Sequence, residues 1–203
     1  MSKSRAEAFS DGVFAVAATL LVFSIPTPEP GVALYRALLD EWPSYASYVI
    51  SFVTILVIWV NHHATIDAIS NFDRSLLFLN GLLLMTVAVI PFTTAVLARS
   101  LQAGHDQPAA AVAYGVAATL MSFAFTFINT YAKARGLFTT SFSLVGFSLG
   151  QLAYPAATLI ALFSYQFAIV IYAALAVFYA AFPLVREAQL RRSPPSSLSS
   201  TRR

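Results

Sequence analysis

Residues 5–23 read RAEAFSDGVFAVAATLLVF, a run long and apolar enough to cross a bilayer yet carrying Arg5, Ser10 and Asp11 in its first two turns. An ionised carboxylate inside a membrane helix costs roughly 2.5–3.5 kcal/mol on insertion scales, so Asp11 needs both a partner and a task. The remainder of the chain has to supply them.

Of the 203 residues, 58% are hydrophobic and only 10% charged, and the mean hydropathy is +0.72. Soluble domains carry about 25% charged residues, so this is an integral membrane protein. The absence of cysteine excludes disulfides, thiolate metal sites and cysteine nucleophiles. The net charge of +3 points to no nucleic acid, because the basic residues sit where membrane topology places them. Lys3 and Arg5 ahead of an apolar run imitate a signal peptide. Asp11 interrupts that run and the exit SIPTPEPG lacks a small-x-small cleavage pattern, so the segment reads as a retained first helix.

A span needs about 20 mostly apolar residues. Six stretches qualify: 6–25, 45–62, 76–97, 109–131, 141–163 and 166–184. The expected fold is therefore an all-α polytopic membrane protein of six transmembrane helices, a single domain over 1–190, followed by a disordered tail at 191–203 rich in serine and proline. Pro91 and Pro155 fall inside spans, where neighbouring groups can satisfy the carbonyl that each frees. With the N-terminus in the cytoplasm, Lys3, Arg5, Arg74, Lys133, Arg135, Arg186, Arg191, Arg192, Arg202 and Arg203 lie inside, and only Arg36 and Arg99 outside. That asymmetry satisfies the positive-inside rule and places both termini in the cytoplasm.

At 100° per residue, Arg5, Phe9, Gly12, Val16, Thr19, Leu20 and Phe23 share one stripe of the first helix, while Ser10 and Asp11 turn toward its flank and back. The second helix runs the other way and ends in WVNHH, bringing Trp59, Asn61, His62 and His63 near the depth of Asp11. A network from Asp11 to Asn61 or the histidines, with Ser10 and Arg5 nearby and Asn80 of the third helix in reach, would satisfy the buried polar groups. Such a network is either a structural brace or a route for protons or cations. Adjacent histidines diverge by 100°, and His105 falls on the outer side, so the histidines supply no zinc or haem site, and nothing asks for a cofactor. The stripe is likewise either packed or lipid-facing surface, or the wall of a pore built from symmetry-related copies. In the second case Val16 would form a hydrophobic constriction and Thr19 a hydroxyl ring one turn on.

No TVGYG-type filter is present; AYGVAA in the fourth span lacks the pattern. Arginine ladders, Walker loops and HExxH are missing too, and the serines lack an obvious base on an adjacent turn, so the chain is not expected to be an enzyme.

Arg5-x-x-x-Phe9-Ser10-Asp11 followed by GVFAVAATLLVF resembles the RxxxFSD signature of the endosomal and lysosomal transmembrane potassium channel family, in particular its single-repeat bacterial members. The six spans and WVNHH fit as well. The resemblance implies a potassium-preferring channel for monovalent cations in the bacterial inner (plasma) membrane. A one-repeat chain is then a homotetramer whose four first helices surround a central pore. It implies a pore constriction at Val16, five positions after the motif aspartate, where many members have isoleucine. Gly12, Thr19, Leu20 and Phe23 become pore-lining, and Arg5, Phe9, Ser10, Asp11, Trp59, Asn61, His62 and His63 an interhelical network. The alternative is a proton-coupled transporter or proton-conducting protein that uses Asp11 with His62 or His63.

Overall fold

The computed structural model describes residues 3–28, 30–31, 33–139 and 148–192, with 148–150 and 182–192 as backbone only. The described residues are helical almost throughout: α1 Lys3–Leu20, α2 Leu34–Asp40, α3 Trp42–Ala68, α4 Arg74–Ala103, α5 Gln107–Ala134, α6 Ser148–Ala161 and α7 Tyr165–Arg192. A 3-10 turn, Leu21–Ser24, continues α1. Lys3–Ser24, Trp42–Ala68, Arg74–Ala103 and Gln107–Ala134 are long and apolar enough to cross a membrane. The described part of the fifth expected span is the 14-residue α6, and 141–147 lie outside the described residues. So does the tail from 193 onward; residues 191 and 192, expected to be disordered, end α7.

The helices overrun the apolar runs because their ends are built from polar caps. The Asp73 carboxylate accepts from the Leu76 N–H at 2.8 Å and starts α4 before the first apolar residue. Gly104, at φ 75, closes α4 in the left-handed conformation, its N–H donating to the Ser100 carbonyl at 3.1 Å. Pro43 and Pro108 sit in the first turns of α3 and α5, where a missing N–H costs nothing. The seven-residue α2 was not anticipated, since its apolar stretch is too short to register as a span.

α4 lies at the centre, packed against α1, α3, α5 and the 3-10 turn. Its buried residues Leu76, Asn80, Leu83, Val87, Ile90, Thr94 and Leu97 follow alternating steps of four and three, which keeps one seam facing its neighbours. The facing helix α5 repeats the pattern with Ala111, Ala118, Phe125 and Ala132 every seventh residue, and the alanines let the backbones approach. At one end, the Ser70 N–H donates to the Leu137 carbonyl and the Thr139 N–H to the Ala68 carbonyl, each at 2.9 Å, tying the α3–α4 turn to the segment after α5.

Asp73 also joins α4 to α5, because the Tyr131 hydroxyl donates to its carboxylate at 2.6 Å. That hydrogen bond, helped by the Leu76 N–H, holds the Asp73 carboxyl below the usual carboxylate range. A lowered native value means stability that is present above the unfolded carboxyl value and lost as pH falls through the native one. Tyr131→Phe is therefore expected to be less stable than the parent at neutral pH, with the gap closing below about pH 4. Thermal midpoints of both proteins across pH 3–7 would check this; a gap independent of pH would place the effect in packing alone.

Gly115 is where α5 meets α6 and α7. A Cβ there would overlap the hydroxyls of Tyr172 and Thr158, and Tyr172 is fully enclosed. The Tyr172 hydroxyl in turn donates to the Ala111 carbonyl at 3.3 Å. Gly115→Ala is expected to destabilise the fold by about 1–3 kcal/mol through overpacking, although alanine is the better helix former. Gly12→Ala, where nothing lies within 4 Å, serves as the control and should fold at least as well as the parent.

Candidate functional site

α1 has two dissimilar faces. Ala6, Ser10, Phe14 and Ala17 are buried and, with Leu21 beyond them, form the stripe that docks on α3 and α4. The opposite stripe is open in the protomer: Arg5, Phe9, Gly12, Val16, Thr19, Leu20 and Phe23 are all exposed, Val16 by 57% and Phe23 by 75%. The Thr19 hydroxyl donates back to the Ala15 and Val16 carbonyls at 3.0 and 2.9 Å, so the hydrogen is satisfied within the helix and the oxygen is left as the polar point of a stripe that is otherwise apolar from Phe9 to Phe23.

The docked face carries a directed chain of hydrogen bonds across three helices. His62 Nε2 and Asn80 Oδ1 are 2.7 Å apart, Asn80 Nδ2 donates to Ser10 Oγ at 2.9 Å, and the Ser10 hydroxyl donates to the Ala6 carbonyl at 2.8 Å. With its amide nitrogen committed to Ser10, Asn80 presents its oxygen to His62, which therefore donates from Nε2. All three side chains are buried, and the His62 ring packs on Phe14 at a centroid distance of 5.3 Å. Asp11 is met separately: Trp59 Nε1 donates to its Oδ1 at 2.9 Å.

Sequence reasoning grouped Asn61, Arg5 and Phe9 with this network, and the structure places them elsewhere. Asn61 stands 200° from Trp59 on α3 and cannot face α1 when Trp59 does; its amide donates instead to the Val57 carbonyl at 2.8 Å. Arg5 and Phe9 belong to the open stripe. His63 shares the face of Trp59, with ring centroids 6.0 Å apart, and lies 3.5 Å from both Glu7 of α1 and Asp67 of α3. Neither carboxylate was singled out beforehand, although His63 and Asp67 stand at the spacing of four that shares a helix face. His105 is at the other end of α4, 2.9 Å from its neighbour Asp106.

The arrangement supplies no nucleophile–base pair. It offers a rigid hydrogen-bonded mount for α1 on one side and an open, largely apolar stripe on the other.

Known proteins resemble this chain in sequence and fold. Residues 5–91 match the family model described as "Endosomal/lysosomal potassium channel TMEM175". Potassium channel B446_29190 of Streptomyces collinus is 39% identical over 186 residues, 86% of this chain and 90% of that protein. A crystal structure described as a lysosomal potassium-selective channel TMEM175 homolog from Chamaesiphon minutus superposes with a TM-score of 0.79 at 32% identity, covering 89% of this chain and 97% of that one. The endosomal/lysosomal proton channel TMEM175 of Danio rerio is 35% identical over 118 residues, 53% of this chain but only 21% of that protein. With a matching family model and a relative aligned over nine tenths of its length, this multi-pass membrane protein belongs to the TMEM175 potassium channel family.

Proposed function

We propose that the chain is the subunit of a homotetrameric, potassium-preferring cation channel, and not an enzyme. In this reading the four copies of α1 line a central pore whose hydrophobic constriction is a ring of Val16, with Gly12, Thr19, Leu20 and Phe23 along the wall. Residues 1–190 form six spans in the bacterial inner membrane, with both termini and the tail at 191–203 cytoplasmic.

The observation that carries the reading is the division of α1. Its polar side chains that need partners are spent on α3 and α4, and the stripe opposite is open on the protomer from Arg5 to Phe23. A stripe bounding a pore must be free of its own subunit, and a hydroxyl in an apolar wall suits a weakly hydrated passage. The names of the Streptomyces and Chamaesiphon relatives give the permeant ion.

The test is flux from liposomes containing the purified oligomer, compared for potassium, sodium and protons, after its mass has been measured in detergent. Potassium efflux exceeding sodium efflux from a tetramer is expected. Well-folded tetramers without potassium flux would sink the proposal, as would a stable monomer, which cannot close a pore from one stripe. The name of the Danio relative favours a second reading, proton conduction through Asp11 and the histidines. Asp11 pairs with Trp59 while His62 pairs with Asn80, so that route lacks a direct step from Asp11 to His62, and proton flux without potassium flux would be needed to revive it.

A further inference from the structure

The first turns of α1 and the last turns of α3 bring one histidine and two carboxylates together. His63 and Asp67 share a face of α3 with Nε2···Oδ2 at 3.5 Å, and Glu7 approaches from α1 with Oε1 3.5 Å from His63 Nδ1. Taking one ligand atom from each of the three residues, all fall within 4.8 Å of one another. The side chains are 27%, 46% and 60% exposed for Glu7, His63 and Asp67, so a solvated ion can reach them. Lys3 sits beside the cluster, but its ammonium donates to the backbone carbonyl of Asp67 at 3.0 Å, capping the end of α3.

Together the three side chains offer an ion a place. A neutral imidazole has one N–H and one lone pair, yet both ring nitrogens face a carboxylate oxygen at the same 3.5 Å. An imidazolium donates to both carboxylates, whereas a neutral ring keeps one nitrogen lone pair for an ion. An ion bound to one ring nitrogen has both carboxylates within reach, and two carboxylates with a neutral histidine balance a charge of two. Tetrahedral coordination at about 2.0–2.2 Å places ligand atoms roughly 3.3–3.5 Å from one another, so ligand atoms that lie within 4.8 Å of one another need only a small side-chain adjustment to close on an ion.

We propose that Glu7, His63 and Asp67 form a binding site for a divalent transition cation of the zinc and nickel class, bridging α1 to α3, with water completing the coordination. The histidines alone make no such site, since His62 points to Asn80; the ligands come from the carboxylates one turn along α3 and across on α1. A bound ion joins the end of α1 to α3 beside the Trp59–Asp11 contact, independently of whether the chain conducts.

Trp59 reports on this site, being 6.0 Å from the His63 ring and one of only two tryptophans. The experiment uses the full chain in detergent without an affinity tag, carrying Trp42→Phe at an exposed position, and titrates Ni2+ while following tryptophan fluorescence. Saturable quenching, reversed by EDTA and displaced by Zn2+, is expected, together with a metal-dependent rise in the thermal midpoint. His63→Gln, Glu7→Gln and Asp67→Asn should each weaken Ni2+ binding about tenfold or more, while His105→Gln leaves it unchanged. Absence of saturable quenching in the parent overturns the site, as does parent-like affinity in the His63→Gln protein or in both carboxylate variants. Helical circular dichroism identifies the variants that are folded. The readout involves no ion flux, so its failure is distinct from failure of the channel reading.

Discussion

Val16→Asn is expected to raise potassium conductance by about tenfold and to lower discrimination between potassium and sodium. In the proposed tetramer the substitution replaces four isopropyl groups at the narrowest ring with four amides. A hydrophobic constriction resists ions because water leaves it and the ion must shed hydration to follow. Amides hold water in the ring, and a tenfold gain requires a barrier lower by only about 1.4 kcal/mol. The cost to folding should be small, because Val16 is 57% exposed on the protomer and touches none of the hydrogen-bonded mount. Single-channel currents or liposome flux, read beside the thermal midpoint, would separate the two effects. A folded Val16→Asn tetramer with parent-like conductance and selectivity would move the constriction to another layer of the stripe. Thr19→Val makes the complementary change: it removes the one hydroxyl from the wall and is expected to reduce conductance.

Much of this was legible in residues 5–23. The 3.6-residue period separated the stripe Phe9–Gly12–Val16–Leu20–Phe23 from Ser10 and Asp11, and the structure keeps that separation, open on one side and docked on the other. The four spans of α1, α3, α4 and α5 were readable because each is a long apolar run closed by proline, glycine or a capping aspartate. The details of the mount were less accessible. Sequence places WVNHH near Asp11 in depth but not in rotation, and a 200° step decides that Trp59 reaches the aspartate while Asn61 turns back on its own helix. Asn80 was within reach by depth alone; its role follows from α4 packing against both α1 and α3, a fact of packing that no local pattern states. Glu7 and Asp67 were missed because attention fell on adjacent histidines, whereas the spacing that shares a face is four.

Asn80→Leu is expected to cost about 1–3 kcal/mol of stability, among the largest effects of any single substitution in the bundle. Leucine has the same branched skeleton of four side-chain heavy atoms, so the loss is chiefly chemical and leaves no cavity. Among the described residues, Asn80 is the one side chain of α4 that bonds at once to α1 and α3, accepting from His62 at 2.7 Å and donating to Ser10 at 2.9 Å. Its removal affects the two partners unequally. Ser10 keeps its own bond to the Ala6 carbonyl and loses only an acceptor role, whereas the His62 N–H is left buried against a methyl group. Interhelical hydrogen bonds in membranes average only about 0.6 kcal/mol, so the larger figure rests on the orphaned donor rather than on the lost bond. That distinction gives a sharp check: His62→Leu combined with Asn80→Leu removes donor and acceptor together and should recover most of the stability. Ser10→Ala should cost less than Asn80→Leu alone. Denaturation midpoints of the four proteins decide the matter, and a double variant no more stable than Asn80→Leu would show that the mount depends on the bond itself. Conductance adds a second reading, because α1 is oriented through this chain: in the proposed channel Asn80→Leu alters gating, and the double variant, stable but without the polar registration, does not restore it.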